Sequence, residues 1–146
     1  MALTLSLDPG GTTGYAIFDY VDGSPISILK SGQIKGSLAG FLDFYWDFLE
    51  PIKFEHIICE SFNLREGIYG ADLSPVYIIG ALEALYPAVR ITYQEPKLKP
   101  LCDDERLKKL GLHEPGKPHR NDAVRHGVVY LRNKKHIPTL VAGWKE

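Results

Sequence analysis

Residues 3–8 read Leu-Thr-Leu-Ser-Leu-Asp, and this short alternation constrains the fold more than any other segment. Leu3, Leu5 and Leu7 occupy one face of a strand, and Thr4, Ser6 and Asp8 the other. Pro9-Gly10-Gly11 breaks the strand directly after the acid. Gly14 to Tyr20 reads as a second strand, Asp22-Gly23 as a turn, and Ile26 to Ile34 as a third strand. Three strands joined by short turns form an antiparallel meander.

Helical spacing begins after the meander. Ser37 is the expected N-cap of a helix over about 38–50, with Leu38, Phe41, Leu42, Tyr45 and Leu49 on one face and Pro51 near its end. Residues 55–62 form a short apolar run suited to a buried central strand. A loop over 63–73 follows. Ser74-Pro75 opens a helix to about Tyr86, and Val89 to Gln94 reads as the last strand. A connection over 96–118 holds a short helix near 103–110 ended by Gly111, and a final helix runs over about 119–134. The expected fold class is α/β in a single domain over 1–146. Its mixed five-stranded sheet has three antiparallel strands, then two joined by helices, and is flanked by helices. By analogy this is the element order of the ribonuclease-H-like fold, and function has to come from the site.

The charge distribution is uneven. Residues 1–95 carry 5 Lys/Arg against 12 Asp/Glu, whereas residues 96–135 carry 11 against 5. An acidic body with a basic stretch suits a protein that binds a metal in one place and a polyanion beside it. A solvated charged face would look the same. No apolar run approaches the roughly 18 residues of a membrane span. The opening residues carry no basic segment, so no secretory signal is expected. Cys59 and Cys102 make no disulfide framework. The expected location is cytoplasmic.

Glu60 is the most informative single residue. It follows Ile57-Ile58-Cys59, and acids are seldom buried unless paired or bound to metal. If the first and fourth strands are neighbours, Asp8 and Glu60 point into one space. Asp122 lies in the first turn of the last helix, with His119 three residues before it. Converging carboxylates repel one another, and a hard divalent cation such as Mg²⁺ or Mn²⁺ relieves the repulsion. Two such ions can clamp a scissile phosphate. Each residue also has a plain structural reading. Asp8 can shape a turn, Glu60 can pair with a buried Arg, and Asp122 can stabilise a helix start. His119 can be a surface histidine. His119, Asp122 and His126 share one helical face, with Val124, Val128 and Leu131 roughly opposite. His126 is expected to support the metal region without touching the ion, or to be structural.

Leu5-Ser6-Leu7-Asp8-Pro9-Gly10-Gly11-Thr12-Thr13-Gly14, Ile57-Ile58-Cys59-Glu60 and His119-Arg120-Asn121-Asp122-Ala123 together resemble the motifs of the RuvC-like Holliday-junction resolvases. The resemblance covers nearly the whole chain in order and spacing. It departs at 119, where many relatives carry Asp. It implies a metal-dependent structure-selective DNA endonuclease, a hydrolase of phosphodiester bonds acting in DNA recombination and repair. Asp8, Glu60, His119 and Asp122 become the catalytic and metal-binding set, holding Mg²⁺ or Mn²⁺ at two ions per site. The partners implied are branched DNA and a second copy of the chain, with no nucleotide cofactor and no membrane. The small size and the departure at 119 suggest a virus or mobile element.

An aromatic residue after the second motif wedges into the junction in the resembled family. Phe62 or Tyr69 could do so here, with Arg65 beside them; Phe62 could equally be core. Lys97, Lys99, Lys117 and Arg120 border the site and are the expected phosphate contacts. The helix near 75–86 is apolar on most sides (Val76, Ile78, Ile79, Ala81, Leu82, Leu85), which makes it the expected homodimer interface or a helix enclosed by its own domain. The strongest rival is an actin-like or sugar-kinase-type ATPase, because Asp8-x-Gly-Gly-Thr-Thr-x-Gly resembles the phosphate-binding turn of those two-lobed proteins. A related nuclease acting on RNA is another, as is a domain that only binds DNA.

Overall fold

The computed structural model describes residues 2–63 and 72–145. Strands β1 (Thr4–Asp8), β2 (Thr12–Val21) and β3 (Ser24–Lys35) form the expected meander. β4 (His56–Glu60) and β5 (Arg90–Gln94) complete a sheet of order β3-β2-β1-β4-β5. β2 lies antiparallel to β1 and β3, whereas β4 is parallel to β1 and β5 to β4. The acid-bearing strands are therefore neighbours. Leu7 stands opposite Cys59, so Asp8 and Glu60 leave the sheet at the same level.

Side-chain alternation assigns the two faces. Leu5, Leu7, Ile57 and Cys59 face α1 (Ser37–Phe44) and α2 (Ser74–Leu85), in a core with Phe41, Ile78 and Leu82. Ile58 faces α4 (Pro118–Asn133) and packs with Val124 and Val128. Ser6 is on the same side, and its hydroxyl donates to the Ala123 carbonyl at 2.6 Å. Asp8 and Glu60, each two residues further along, thus point to the α4 side.

Several expected elements differ in detail. The helix over 38–50 is α only to Phe44. It widens into a π-helical turn over Tyr45–Leu49, where the Glu50 amide donates to the Tyr45 carbonyl five residues back. This turns both Tyr45 and Leu49 into the core. Ser37 is the first helical residue and not the N-cap. Gly36 holds the cap at φ 98°, and the Ser37 hydroxyl accepts from Ser74 instead, tying α1 to α2. α2 buries Ile78 and Leu82 fully within its own domain. A charge at either position would attack the core, so neither belongs to an intermolecular face. Val76 and Tyr77 are exposed.

The 96–118 connection contains a 3₁₀ segment, Pro96–Cys102, and α3 (Asp104–Lys109). The Asp103 side chain caps α3, accepting from the Arg106 amide, and Gly111 follows at φ 74°. A further helix, α5 (Ile137–Trp144), is not apparent in the sequence pattern. Three residues separate it from α4, and at eight residues it gives little periodicity to read. The Ile26 amide and Arg106 guanidinium anchor it at Thr139 and Gly143. α4 is not divided into a polar and an apolar face. Every residue from Ala123 to Leu131 is buried, because sheet, 3₁₀ segment and α5 surround it. Among the described residues, no helix is long and apolar enough to cross a membrane.

Candidate active site

Two close backbone approaches bring α4 to the end of β1. Gly14, opposite Asp8 on β2, has no side chain because a Cβ there would lie 1.7 Å from the His119 carbonyl oxygen. Gln33 on β3 supplies the helix cap that Lys117 does not. Its carboxamide oxygen accepts from the His119 and Arg120 amides at 3.0 and 3.3 Å. The first turn of α4 is thereby held against the β1–β2 end of the sheet.

Four of the expected residues gather there with Lys99. Asp8 hydrogen-bonds Glu60, and His119 Nδ1 lies 3.7 Å from Asp8 Oδ2. The Lys99 ammonium stands between the other carboxylates, 3.5 Å from Glu60 Oε2 and 3.3 Å from Asp122 Oδ2. Burial, then repulsion from Glu60, pushes Asp8 up to about 8, so Asp8 carries the proton of the pair. Burial works against ionised Glu60 too, but a hydrogen bond and charge from His126, followed by Asp8 and Lys99, hold it below the usual range. Burial alone would lower Lys99. The surrounding acids outweigh it and raise the ammonium, Glu60 first and then Asp122 and Asp8.

The wider shell contains residues that sequence reasoning missed. Arg125 donates to Asp122 and to Asp104, and its Nε donates to the Cys102 carbonyl at 2.5 Å. An Arg three residues after Asp122 was a readable helical pairing. Asp104 was not readable, because it comes from a separate helix. Lys99, an expected phosphate contact, lies among the carboxylates.

The other expected DNA contacts divide. Lys97 is exposed beside Glu95, at 3.0 Å. It borders a hollow with Glu60, Asn63 and half-buried Phe62. Lys117 is exposed immediately before α4. Arg120 is a correction. It is buried, donates to Ser31 Oγ at 2.9 Å and to the Leu112 carbonyl, and pairs with Glu114 at 3.3 Å. These partners occupy its guanidinium, which holds α4 to β3 and the preceding loop and is not free for a phosphate. Arg65 and Tyr69 lie outside the described residues.

Among the described residues, no three His, Cys, Asp or Glu side chains form a ready-made metal cluster. The donor set nevertheless fits a hard divalent cation. Its acids are oxygen donors, two of them share one proton, and a lysine ammonium already fills the demand for positive charge between Glu60 and Asp122.

No protein-family model matches the chain, and no curated protein sequence matches it. Solved structures do. A Thermus thermophilus RuvC in complex with Holliday junction substrate superposes with a TM-score of 0.71 at 14% identity, over 94% of this chain and 98% of that one. The fowlpox virus Holliday junction resolvase superposes at 0.62 with 14% identity, over 90% and 99%. The chain shares the ribonuclease-H-like fold of these structures.

Proposed function

We propose that this protein is a divalent-metal-dependent endonuclease that hydrolyses phosphodiester bonds in branched DNA such as Holliday junctions. The observation that carries the reading is the meeting of Asp8, Glu60 and Asp122 around one lysine at the end of β1. The structural neighbours, a RuvC in complex with Holliday junction substrate and a viral Holliday junction resolvase, support it. Asp8, Glu60 and Asp122 would hold the metal, Mg²⁺ or Mn²⁺, at one or two ions. When bound, it supplies an activated water and neutralises charge on the phosphate.

The chain's own residues perform the rest. Asp8 gives up its proton when the site is loaded, since a proton and a cation compete for the same oxygens. His119, half-exposed beside Asp8, is placed to accept a proton from the attacking water. Arg125 holds one oxygen of Asp122 and leaves the other toward Lys99. The Lys99 ammonium is placed to take a phosphate oxygen once it leaves the carboxylates. Phe62 is the described candidate for stacking on an unpaired base at the branch point.

The direct test is incubation with four-way, three-way, flapped and linear DNA in Mg²⁺ or Mn²⁺. Paired cuts in the four-way junction are the expected result. Cutting of RNA alone, or hydrolysis of ATP without cutting, would overturn the reading.

The basic stretch supplies phosphate contacts. Replacing Lys97 and Lys117 together with Gln is expected to weaken binding to every DNA form. It should also flatten the plot of log affinity against log salt by about two, because each phosphate contact releases about one counterion. Fluorescence anisotropy between low and moderate salt measures the slope. An unchanged slope would move the DNA path away from these lysines.

Paired incision calls for two active sites, and a two-fold dimer is the simplest source. The outward residues of α2, Val76, Tyr77 and Gly80, are the surface we assign to it. The protein should sediment as a dimer at micromolar concentration. Tyr77→Glu should split it, with nicking outlasting paired cleavage. A monomeric parent that still makes paired cuts would rule the dimer out.

A further inference from the structure

Among the largest fully buried side chains of the described residues His126 is the polar one, and the reaction scheme above leaves it unused. It is 0% exposed, in the middle of α4, between turns that contribute Val124 and Val128 to the core. An apolar residue would fill this position without the cost of burying a polar ring. Both ring nitrogens are instead engaged. Nε2 donates to Glu60 Oε2 at 2.8 Å, and Nδ1 lies 2.8 Å from the Gln94 carboxamide oxygen. Gln94 is itself buried and stands opposite Glu60 across the β4–β5 ladder. The network therefore joins the ends of two strands to the helix that packs over them.

Its placement on α4 is what matters. Asp122 lies one turn before His126 on the same helix, so the hydrogen bond to Glu60 couples an acid of the sheet to the element that carries the opposite acid. Without it, the Glu60 carboxylate would be held only by Asp8 and by the Lys99 ammonium on its flexible stem, and neither ties it directly to α4. We propose that His126, braced by Gln94, is a positioning residue that holds the Glu60 carboxylate at a fixed spacing from Asp122 and so sets the affinity of the site for a divalent cation. This rests on the nuclease reading above. Outer partners of this kind typically account for 10- to 100-fold in metal affinity.

The test uses Mn²⁺ alone, titrated into the full chain by calorimetry, with the Mn²⁺ dependence of junction cleavage measured in parallel. His126→Leu removes the donor at similar volume, and His126→Gln keeps one. His126→Leu is expected to bind Mn²⁺ about 10- to 100-fold more weakly and to require correspondingly more Mn²⁺ for half-maximal cleavage. Its DNA binding should stay at the parent level. His126→Gln should recover most of the Mn²⁺ affinity. Parent-like Mn²⁺ affinity in a folded His126→Leu protein would overturn the assignment while leaving the nuclease reading intact. A parent protein that binds no Mn²⁺ and cuts no DNA would overturn both. Should His126→Leu fail to fold, His126→Asn replaces it, since its shorter amide cannot reach Glu60. Equal Mn²⁺ affinity in the Asn and Gln variants would then refute the proposal.

Discussion

Asp8→Asn is expected to abolish cleavage while leaving DNA binding near the parent level. The substitution removes a ligand oxygen without removing a phosphate contact. Loss of several kcal/mol of transition-state stabilisation corresponds to a rate decrease on the order of 10³-fold. Near-parental cutting by this variant would refute the metal scheme. The variant also has a folding signature in the presence of a chelator. The folded pKa of Asp8, about 8, lies above its ordinary value of 3.8. Unfolding therefore releases its proton between those values, and stability falls as pH rises through that window. Asn carries no such proton. The melting temperature of Asp8→Asn relative to the parent should rise from about pH 4 to about pH 8 and level off above. A difference independent of pH would show that Asp8 is ionised in the folded protein.

Gly14→Ala should damage both folding and cleavage through one contact. The added methyl would stand 1.7 Å from the His119 carbonyl oxygen and 2.3 Å from its carbon. These are backbone atoms, so no rotamer change relieves the overlap. Either β2 or the first turn of α4 must move. A destabilisation of about 1–3 kcal/mol or more is expected, as for other overpacked interiors. Any movement of α4 also shifts His119 and Asp122 away from Asp8, so the surviving folded fraction should cut poorly. Gly23→Ala is the control, since a Cβ there meets nothing within 4 Å. Urea unfolding and junction cleavage measure the two effects separately. Parent-like stability and cutting in Gly14→Ala would mean that the strand–helix spacing is not what assembles the site.

The acids were legible because each violates a local expectation. Asp8 ends a hydrophobic alternation before Pro-Gly, and Glu60 ends an apolar run of strand residues. Their meeting depended on one pairing, β1 beside β4, which the structure supplies. The basic residues were harder to read. Arg120 and Lys117 lie in the same short segment and carry the same charge, yet Arg120 is buried among Ser31, Leu112 and Glu114 while Lys117 is exposed. Charge counting along the chain registers the sign of each residue and is blind to its partners.

The sequence by itself determined the meander, the central strand, the acid at the end of each of two strands and the basic character of the later segment. These follow from periodicity, turn residues and composition, which act over a few neighbouring positions. Only the tertiary structure decided that Lys99 sits among the carboxylates and that α2 buries Ile78 and Leu82 in its own core. It also decided that His126 reaches Glu60 across 66 positions of chain. Each of these is a contact between elements that meet only after the sheet has formed. Whether a polar group then faces solvent, a partner or a cation is set by what packs against it.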